Sequence, residues 1–310
     1  MNMNLQTRFR GCLLGLACGD ALGAPIEFML PDNFHPVTDF RGGGAFNVKP
    51  GQWTDDTSMA LCLADSLISC KGFDPRDQMD RYLRWYRDGY LSSTGACFDI
   101  GSTTRESLEQ FSKTGEPFCG PTTEGTAGNG CLMRIAPVPM FFFRNPDEAC
   151  EKGALSARTT HGAPECLDAC RFFSWLVVRA LQGESKEDLM TPRRWPGSPL
   201  SAPVAAVAAG SYARKEPPQI RSTGYVVDSL EAALWAFHRG SDFADSVRLA
   251  ANLGYDTDTT AAICGQLAGA HYGEANIPSR WLRELYWSDR IRAMADELCA
   301  LTGMETAYVA

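Results

Sequence analysis

Residues 74–89 read "DPRDQMDRYLRWYRDG", and both ends of a helix are written into them. Asp74 can accept hydrogen bonds from the orphan N–H groups of a first turn. Pro75 suits the first helical position because it has no N–H to satisfy, and Gly89 suits the left-handed residue that follows a last turn. Leu83 and Tyr86 mark the expected apolar side. The same punctuation recurs along the chain. "PECLDACRFFSWLVVRALQG" (164–183) opens on Pro and closes on Gly, and "DSLEAALWAFHRG" (228–240) is expected to be capped by Asp228 and stopped by Gly240. Helical periods also run through 101–113, 146–157, 201–214, 242–253, 259–272 and 289–302, while Gly and Pro collect in 36–52, 115–131, 192–200 and 215–224. Sustained period-two alternation bounded by turns is absent, so the pattern predicts an all-α fold.

Composition narrows the function classes. A formal charge of −8 over 310 residues argues against general nucleic-acid or anionic-membrane binding, which needs a clustered basic surface. A small molecule or a protein partner is expected instead. The twelve cysteines form no C-x-x-C pair and mostly sit in apolar helical text such as "MALCLADSL" and "AAICGQLAG". There free Cys packs as a small hydrophobe, which suits a reducing cytoplasm. Cys166 and Cys170, four apart on one helix, read as packing. The N-terminal "MNMNLQTRFR" followed by "GCLLGLACGDALGA" mimics a secretory signal, and Cys18 a lipoprotein site. Leu5, Phe9, Cys12, Leu13 and Leu16 nevertheless share one helical face and Asp20 interrupts the apolar run, so a core helix is expected. No run of uninterrupted apolar residues reaches the roughly 18 that a membrane span needs.

Two stretches carry chemistry. "WTDDTSMAL" (53–61) sets Asp55 and Asp56 between threonines before an apolar run, and "YDTDTTAAI" (255–263) repeats the idea with Asp256, Thr257, Asp258 and Thr259 about two hundred residues later. Helix capping explains one acidic or hydroxyl residue at a helix start, but not two carboxylates at each of two starts. Asp and Thr without adjacent His or Cys suit a hard cation such as Mg²⁺ or Mn²⁺. Four aspartates with threonine hydroxyls exceed what one octahedral ion takes from protein, so a two-ion site is expected, with Asp256 and Asp258 aimed together from an extended segment. If both stretches serve one site, the two ends of the chain pack together, and residues 1–310 are expected to form one domain.

Six ordered blocks then carry a family resemblance: "GCLLGLACGDALGAPIEF" (11–28), "GGGAFNVKPGQWTDDTSMAL" (42–61), "GNGCLMRIAPV" (128–138), "ARTTH" (157–161), "GYVVDSLEAALWAF" (224–237) and "NLGYDTDTTAAICGQLAGAHYG" (252–273). Together they resemble the ADP-ribosylglycohydrolase family. The resemblance implies a compact single-domain orthogonal helical bundle and an enzyme, which the free cysteines are expected to place in the cytoplasm. It also implies a binuclear Mg²⁺ or Mn²⁺ centre that helps release ADP-ribose from ADP-ribosylated protein, with arginine as the expected linkage. Metal ligands carry over to Thr54, Asp55, Asp56, Asp256, Asp258 and Thr259, and Glu27 matches an acidic position beside them. Asp56 and Glu27 are expected to assist catalysis, because carboxylates near an oxocarbenium-like centre help electrostatically and in proton transfer.

Further positions rest on the same resemblance. Gly128, Asn129 and Gly130 are expected to contact substrate, since glycines let backbone N–H groups approach a diphosphate. Cys131 follows where Ser is the more usual family residue. "RGGG" (41–44) reads as a loop rather than a phosphate cradle. His161 is expected near substrate. Tyr225 either stacks on a base, lines the acceptor channel or packs in the core. Asp99, in "CFDIGSTTRESL", either caps the helix that follows or faces the acceptor guanidinium and exchanges a proton with it. Two rival functions remain open on sequence alone: a non-catalytic ADP-ribose-binding or structural protein, and a metal-dependent phosphoesterase.

Overall fold

The computed structural model describes residues 4–123, 125–191 and 195–302. Residues 192–194 of the expected 192–200 loop, and the extreme ends of the expected 1–310 domain, lie outside the described residues. Fourteen α-helices are described: α1 (Leu5–Gly23), α2 (Asp55–Cys70), α3 (Pro75–Asp88), α4 (Ser102–Thr114), α5 (Pro137–Phe141), α6 (Pro146–Arg158), α7 (Pro164–Leu181), α8 (Lys186–Met190), α9 (Ala202–Ala208), α10 (Val226–Arg239), α11 (Phe243–Ala251), α12 (Thr257–Tyr272), α13 (Ser279–Glu284) and α14 (Ser288–Leu301). No strand forms among the described residues; two isolated bridges, Gly43 with Val48 and Gly128 with Tyr225, are the β-type pairing present. The all-α expectation holds.

Local chemistry explains the helix ends. Asp74 accepts from the backbone N–H groups of Arg76 and Asp77 at 2.8 and 3.2 Å, and Gly89 turns left-handed at φ 66°. The buried face of α3 is Gln78, Met79, Tyr82 and Trp85, so the apolar side assigned to Leu83 and Tyr86 is off by a residue; both are only half-buried. Helix α10 starts two residues before Asp228, at Val226, and Asp228 instead accepts from Thr223 Oγ1 at 2.9 Å. The expected 201–214 helix breaks into α9 and a 3₁₀ turn, Ser211–Arg214, because Gly210 adopts φ 82° between them.

The bundle is organised around α1 and α12, which have the most extensive mutual packing of any helix pair. Helix α1 is buried on every side from Gly11 to Gly23, rather than along one face as expected. Glycines make this possible. A Cβ on Gly11, Gly15 or Gly19 would lie 2.3, 2.3 or 2.1 Å from the carbonyl oxygens of Gly269, Gly265 and Ala261, so only hydrogen fits at the crossing. Residues 5–26 are long and apolar enough to cross a membrane by length and composition, but the apolar window is 94% buried inside the fold. Its function here is that of a central core helix. Phe243 packs beside its Gly15, and its own Phe9 meets Phe143 edge-on at 5.8 Å between centroids. The same close crossing fixes Gly23 against the backbone of Asp258, which brings the end of α1 to the start of α12.

Candidate active site

Asp20, one turn before the end of α1, is fully buried and organises the first acidic turn. Its Oδ1 accepts from the Thr54 N–H at 2.8 Å and Thr54 Oγ1 at 3.0 Å, and its Oδ2 from the Thr57 N–H at 2.9 Å and Thr57 Oγ1 at 2.6 Å. A carboxylate has about four acceptor sites, and all are engaged. Burial pushes Asp20 up to about 6, and these donors work against that shift. The side chain thus locks the Thr54–Thr57 turn at the start of α2.

That lock aims the acids inward. Oxygens of Asp20, Asp56 and Asp258 lie within 4.8 Å of one another, as do oxygens of Glu27, Asp256 and Asp258, so Asp258 belongs to both groups. Thr54 Oγ1 lies 3.2 Å from both Asp56 Oδ2 and Asp258 Oδ2, and Thr259 Oγ1 lies 3.5 Å from Asp56 Oδ2. Asp55 stands outside both trios and lines the adjoining cavity. Asp256 and Asp258 do not converge along an extended segment, as the sequence suggested: Asp256 is the residue before α12 and Asp258 lies in its first turn. Neither Thr54 before α2 nor Asp256 before α12 makes a side-chain capping bond, and the residue before α4 is Gly101, not Asp99. Capping therefore explains none of the three acidic turns.

The electrostatics ask for a cation. Burial, then mutual repulsion, raises Asp55, Asp56 and Asp258 well above the ordinary carboxylate range, and burial followed by the Asp258 charge does the same to Glu27. Two buried oxygens, Glu27 Oε2 and Asp56 Oδ1, have no hydrogen-bond partner. Orphaned buried acceptors in a cluster of like charge are costly unless a positive ion satisfies them. An all-oxygen donor set fits a hard divalent cation.

A cavity of about 640 Å³ opens from this cluster, lined by Glu27, Asp55, Asp99, Gly128, Asn129, Gly130, His161, Asp256 and Thr259 among others. Asp99 sits at its edge with φ 61°, and burial raises it to about 7. Asn129 is tied into the acidic cluster: its Nδ2 donates to Asp256 Oδ2 at 2.7 Å and to Ser229 Oγ at 2.8 Å. Beyond Gly128 a second hollow of about 740 Å³ is lined by Tyr225, which is 37% exposed and so not a core residue. Cys131 is fully buried, and "RGGG" pairs with Val48 through Gly43 instead of forming a cradle.

The state of His161 follows from its neighbours. Arg134, fully buried, donates from Nη2 to Thr160 Oγ1 at 2.7 Å, and Thr160 Oγ1 in turn lies 2.8 Å from His161 Nδ1, where the tautomer decides which atom donates. With the Thr160 hydroxyl as donor, Nδ1 accepts and the ring proton sits on Nε2. Burial holds His161 down at about 4, so the ring is neutral. Nε2 faces the glycine loop: a Cβ on Gly128 would lie 3.3 Å from it, and a Cβ on Gly130 2.9 Å from Cε1.

Several residues escaped the sequence reading. Asp20 carried a signal, an Asp inside an apolar helix whose glycines recur every fourth residue. Phe28 and Tyr255, which line the cavity, and Ser102 to Thr104 at the α4 start carried none beyond being next to acids in the chain.

The chain belongs to the ADP-ribosylglycohydrolase family, whose pattern it matches over residues 1–307. Among its relatives is the ADP-ribosylarginine hydrolase Tri1 of Serratia proteamaculans (strain 568), 44% identical over 289 residues, covering 93% of this chain and 78% of that protein. The ADP-ribosyl-[dinitrogen reductase] glycohydrolase of Rhodospirillum rubrum is 32% identical, covering 97% of this chain and 99% of the relative. A solved structure described as an ADP-ribosylglycohydrolase-related protein complex superposes with a TM-score of 0.86 at 45% identity, covering 96% of this chain and 99% of that one.

Proposed function

We propose that this protein hydrolyses the N-glycosidic bond between ADP-ribose and an arginine side chain of a modified protein, as a single-domain cytoplasmic enzyme. The observation that carries the reading is the convergence of Thr54, Asp56, Asp256 and Asp258 beside a long cavity that contains Asp99. The naming of the Serratia relative as an ADP-ribosylarginine hydrolase supports the linkage. Thr54, Asp55, Asp56, Asp256, Asp258 and Thr259 would hold two Mg²⁺ or Mn²⁺ ions. When bound, such ions supply positive charge that orients vicinal ribose hydroxyls and acidifies a water.

The remaining chemistry belongs to the chain. Asp99 accepts hydrogen bonds from the guanidinium and, raised to about 7, can deliver a proton to the departing nitrogen. That transfer matters because the cationic guanidinium, keeping the electron pair of the broken C–N bond, departs as a neutral guanidine, a strong base that takes up the proton. Glu27 and Asp56 stabilise positive charge that develops at the anomeric carbon. His161 donates from Nε2 toward the loop of Gly128, Asn129 and Gly130, where the backbone N–H groups of Gly128 and Gly130 and the α4 N-terminus receive the diphosphate, the Asn129 N–H being bonded to the Gly224 carbonyl. Tyr225 faces the adenosine end. The unpartnered Glu27 and Asp56 oxygens count against a purely structural role.

The test is product identity. Protein carrying arginine-linked or serine-linked ADP-ribose is incubated with the enzyme, with and without EDTA. Intact ADP-ribose released from arginine and suppressed by EDTA supports the reading; release of AMP or phosphate, or full turnover in EDTA, defeats it.

A further inference from the structure

Two aromatic residues at the mouth of the cavity are built in an uneconomical way. Phe28 is 64% exposed and Tyr255 44% exposed, so neither ring is there to fill the core. Both hold left-handed backbone, at φ 64° and 61°, a conformation that bulky side chains rarely adopt. A two-sided backbone clasp keeps them there: the Phe28 N–H donates to the Tyr255 carbonyl at 2.7 Å, and the Tyr255 N–H to the Met29 carbonyl at 2.7 Å. Strained residues that gain no burial point to a use outside folding.

Their neighbours indicate the ligand. Phe28 follows Glu27, Tyr255 precedes Asp256, and Phe98 precedes Asp99, so each ring is next in the chain to a carboxylate of the cavity wall. Phe28 contacts Phe46 at 6.2 Å between centroids and Phe46 contacts Phe98 at 5.5 Å, which extends the aromatic surface toward Asp99. Carboxylates and aromatic rings that line one cavity match a planar cation with apolar faces, which is an alkylated guanidinium. Position separates this end from the ADP-ribose end. The two hollows meet at Thr103, Gly128 and Gly224, with Tyr225 on one side of that junction and Phe28 and Tyr255 on the other, next to Asp99.

We propose that Phe28 and Tyr255 form the acceptor-recognition lip, holding the modified arginine and its flanking peptide against Asp99. The proposal rests on the functional reading above and adds the residues that select the acceptor. It divides the cavity between metal-held ribose, diphosphate loop and aromatic mouth.

The experiment compares wild type with Phe28→Ala, Tyr255→Ala and the shape-retaining Phe28→Leu and Tyr255→Leu. Steady-state kinetics use a peptide bearing ADP-ribosylarginine, and calorimetry measures the affinity of free ADP-ribose. Loss of a ring should raise KM for the peptide roughly tenfold, the scale of a partly desolvated cation–π contact, with kcat and ADP-ribose affinity near wild type. The Leu variants should share the defect; if the Ala variants fail to fold, they carry the test. An unchanged KM in folded variants overturns the lip, and so does an equal loss of ADP-ribose affinity, which would assign the rings to the nucleotide. Wild type that binds ADP-ribose but releases none from the peptide defeats the functional reading itself, and the lip with it.

Discussion

Thr54 Oγ1 lies 3.2 Å from Asp258 Oδ2, joining two acidic turns 204 residues apart in the chain. Three features of the sequence create that contact. The glycine stripe of α1 lets it lie on α12, Asp20 at the end of α1 grips Thr54 and Thr57, and Gly23 abuts Asp258.

Asp20 should accordingly be a positioning residue whose loss disorders the first turn. Asp20→Ala removes an acceptor of four hydrogen bonds and leaves two buried backbone N–H groups unpaired, at about 1–3 kcal/mol each. Melting temperature and metal affinity should fall together. A variant with normal metal affinity would show that the turn holds itself.

The helix crossing offers a second check. Gly19→Ala places a Cβ 2.1 Å from the Ala261 carbonyl oxygen, in backbone that cannot swing away. Overpacking of this kind costs about 1–3 kcal/mol or more, and any relief separates α1 from α12 and so Asp20 from Asp258. Denaturant unfolding should show the loss, and metal titration should show weaker binding in the fraction that remains folded. Wild-type stability would mean that the helices are less tightly set than their glycines indicate.

How much of this was legible in the sequence depends on whether the signal was local. Asp74, Pro75 and Gly89 announced α3 because a cap needs only its own turn. The acidic turns stood out because paired carboxylates exceed what capping asks. Asp20 was passed over because its four donors come from residues 54 and 57, and nothing near it in the chain reveals them. Phe28 and Tyr255 were invisible for a similar reason: only folding clasps residue 28 to residue 255. Asp228 misled, since an Asp near a helix start looks like a cap although the turn begins two residues earlier.

The His161 tautomer can be read by nitrogen NMR. Wild type should show Nδ1 unprotonated and Nε2 protonated, with the ring neutral to well below its ordinary titration range, since burial holds it near 4. Thr160→Val deletes the hydroxyl donor at constant shape and should redistribute the proton between the nitrogens, while Thr160→Ser keeps the wild-type pattern. An Nδ1–H tautomer in wild type would refute the Arg134–Thr160–His161 order.

Stability of the metal-free protein should run against the usual acid sensitivity. Burial raises Asp20 to about 6 and Asp99 to about 7, so between the unfolded carboxylate value and these the native state binds more protons than the unfolded chain. Stability is then highest at low pH and declines as pH rises through the folded values. His161 and His271, lowered to about 4, and His238, also lowered by burial, act oppositely below their unfolded value, but they are three groups against the larger cluster of Asp20, Glu27, Asp55, Asp56, Asp99, Asp256 and Asp258. Chelated protein should melt at a higher temperature near about pH 5 than near about pH 8, and the stabilisation from added Mg²⁺ should grow with pH. A chelated protein that steadily gains stability up to about pH 8 would contradict these burial-driven shifts.

The most direct test of the whole arrangement is titration of EDTA-stripped protein with Mn²⁺, followed by calorimetry and by electron paramagnetic resonance. One shared site made from both acidic turns should take two ions per chain, close enough to give a spin-coupled spectrum, on the usual binuclear spacing of about 3.5–4 Å. Asp258→Asn should weaken both ions at once, because Asp258 belongs to both oxygen trios. A single uncoupled ion, or two ions whose affinities ignore Asp258→Asn, would contradict it.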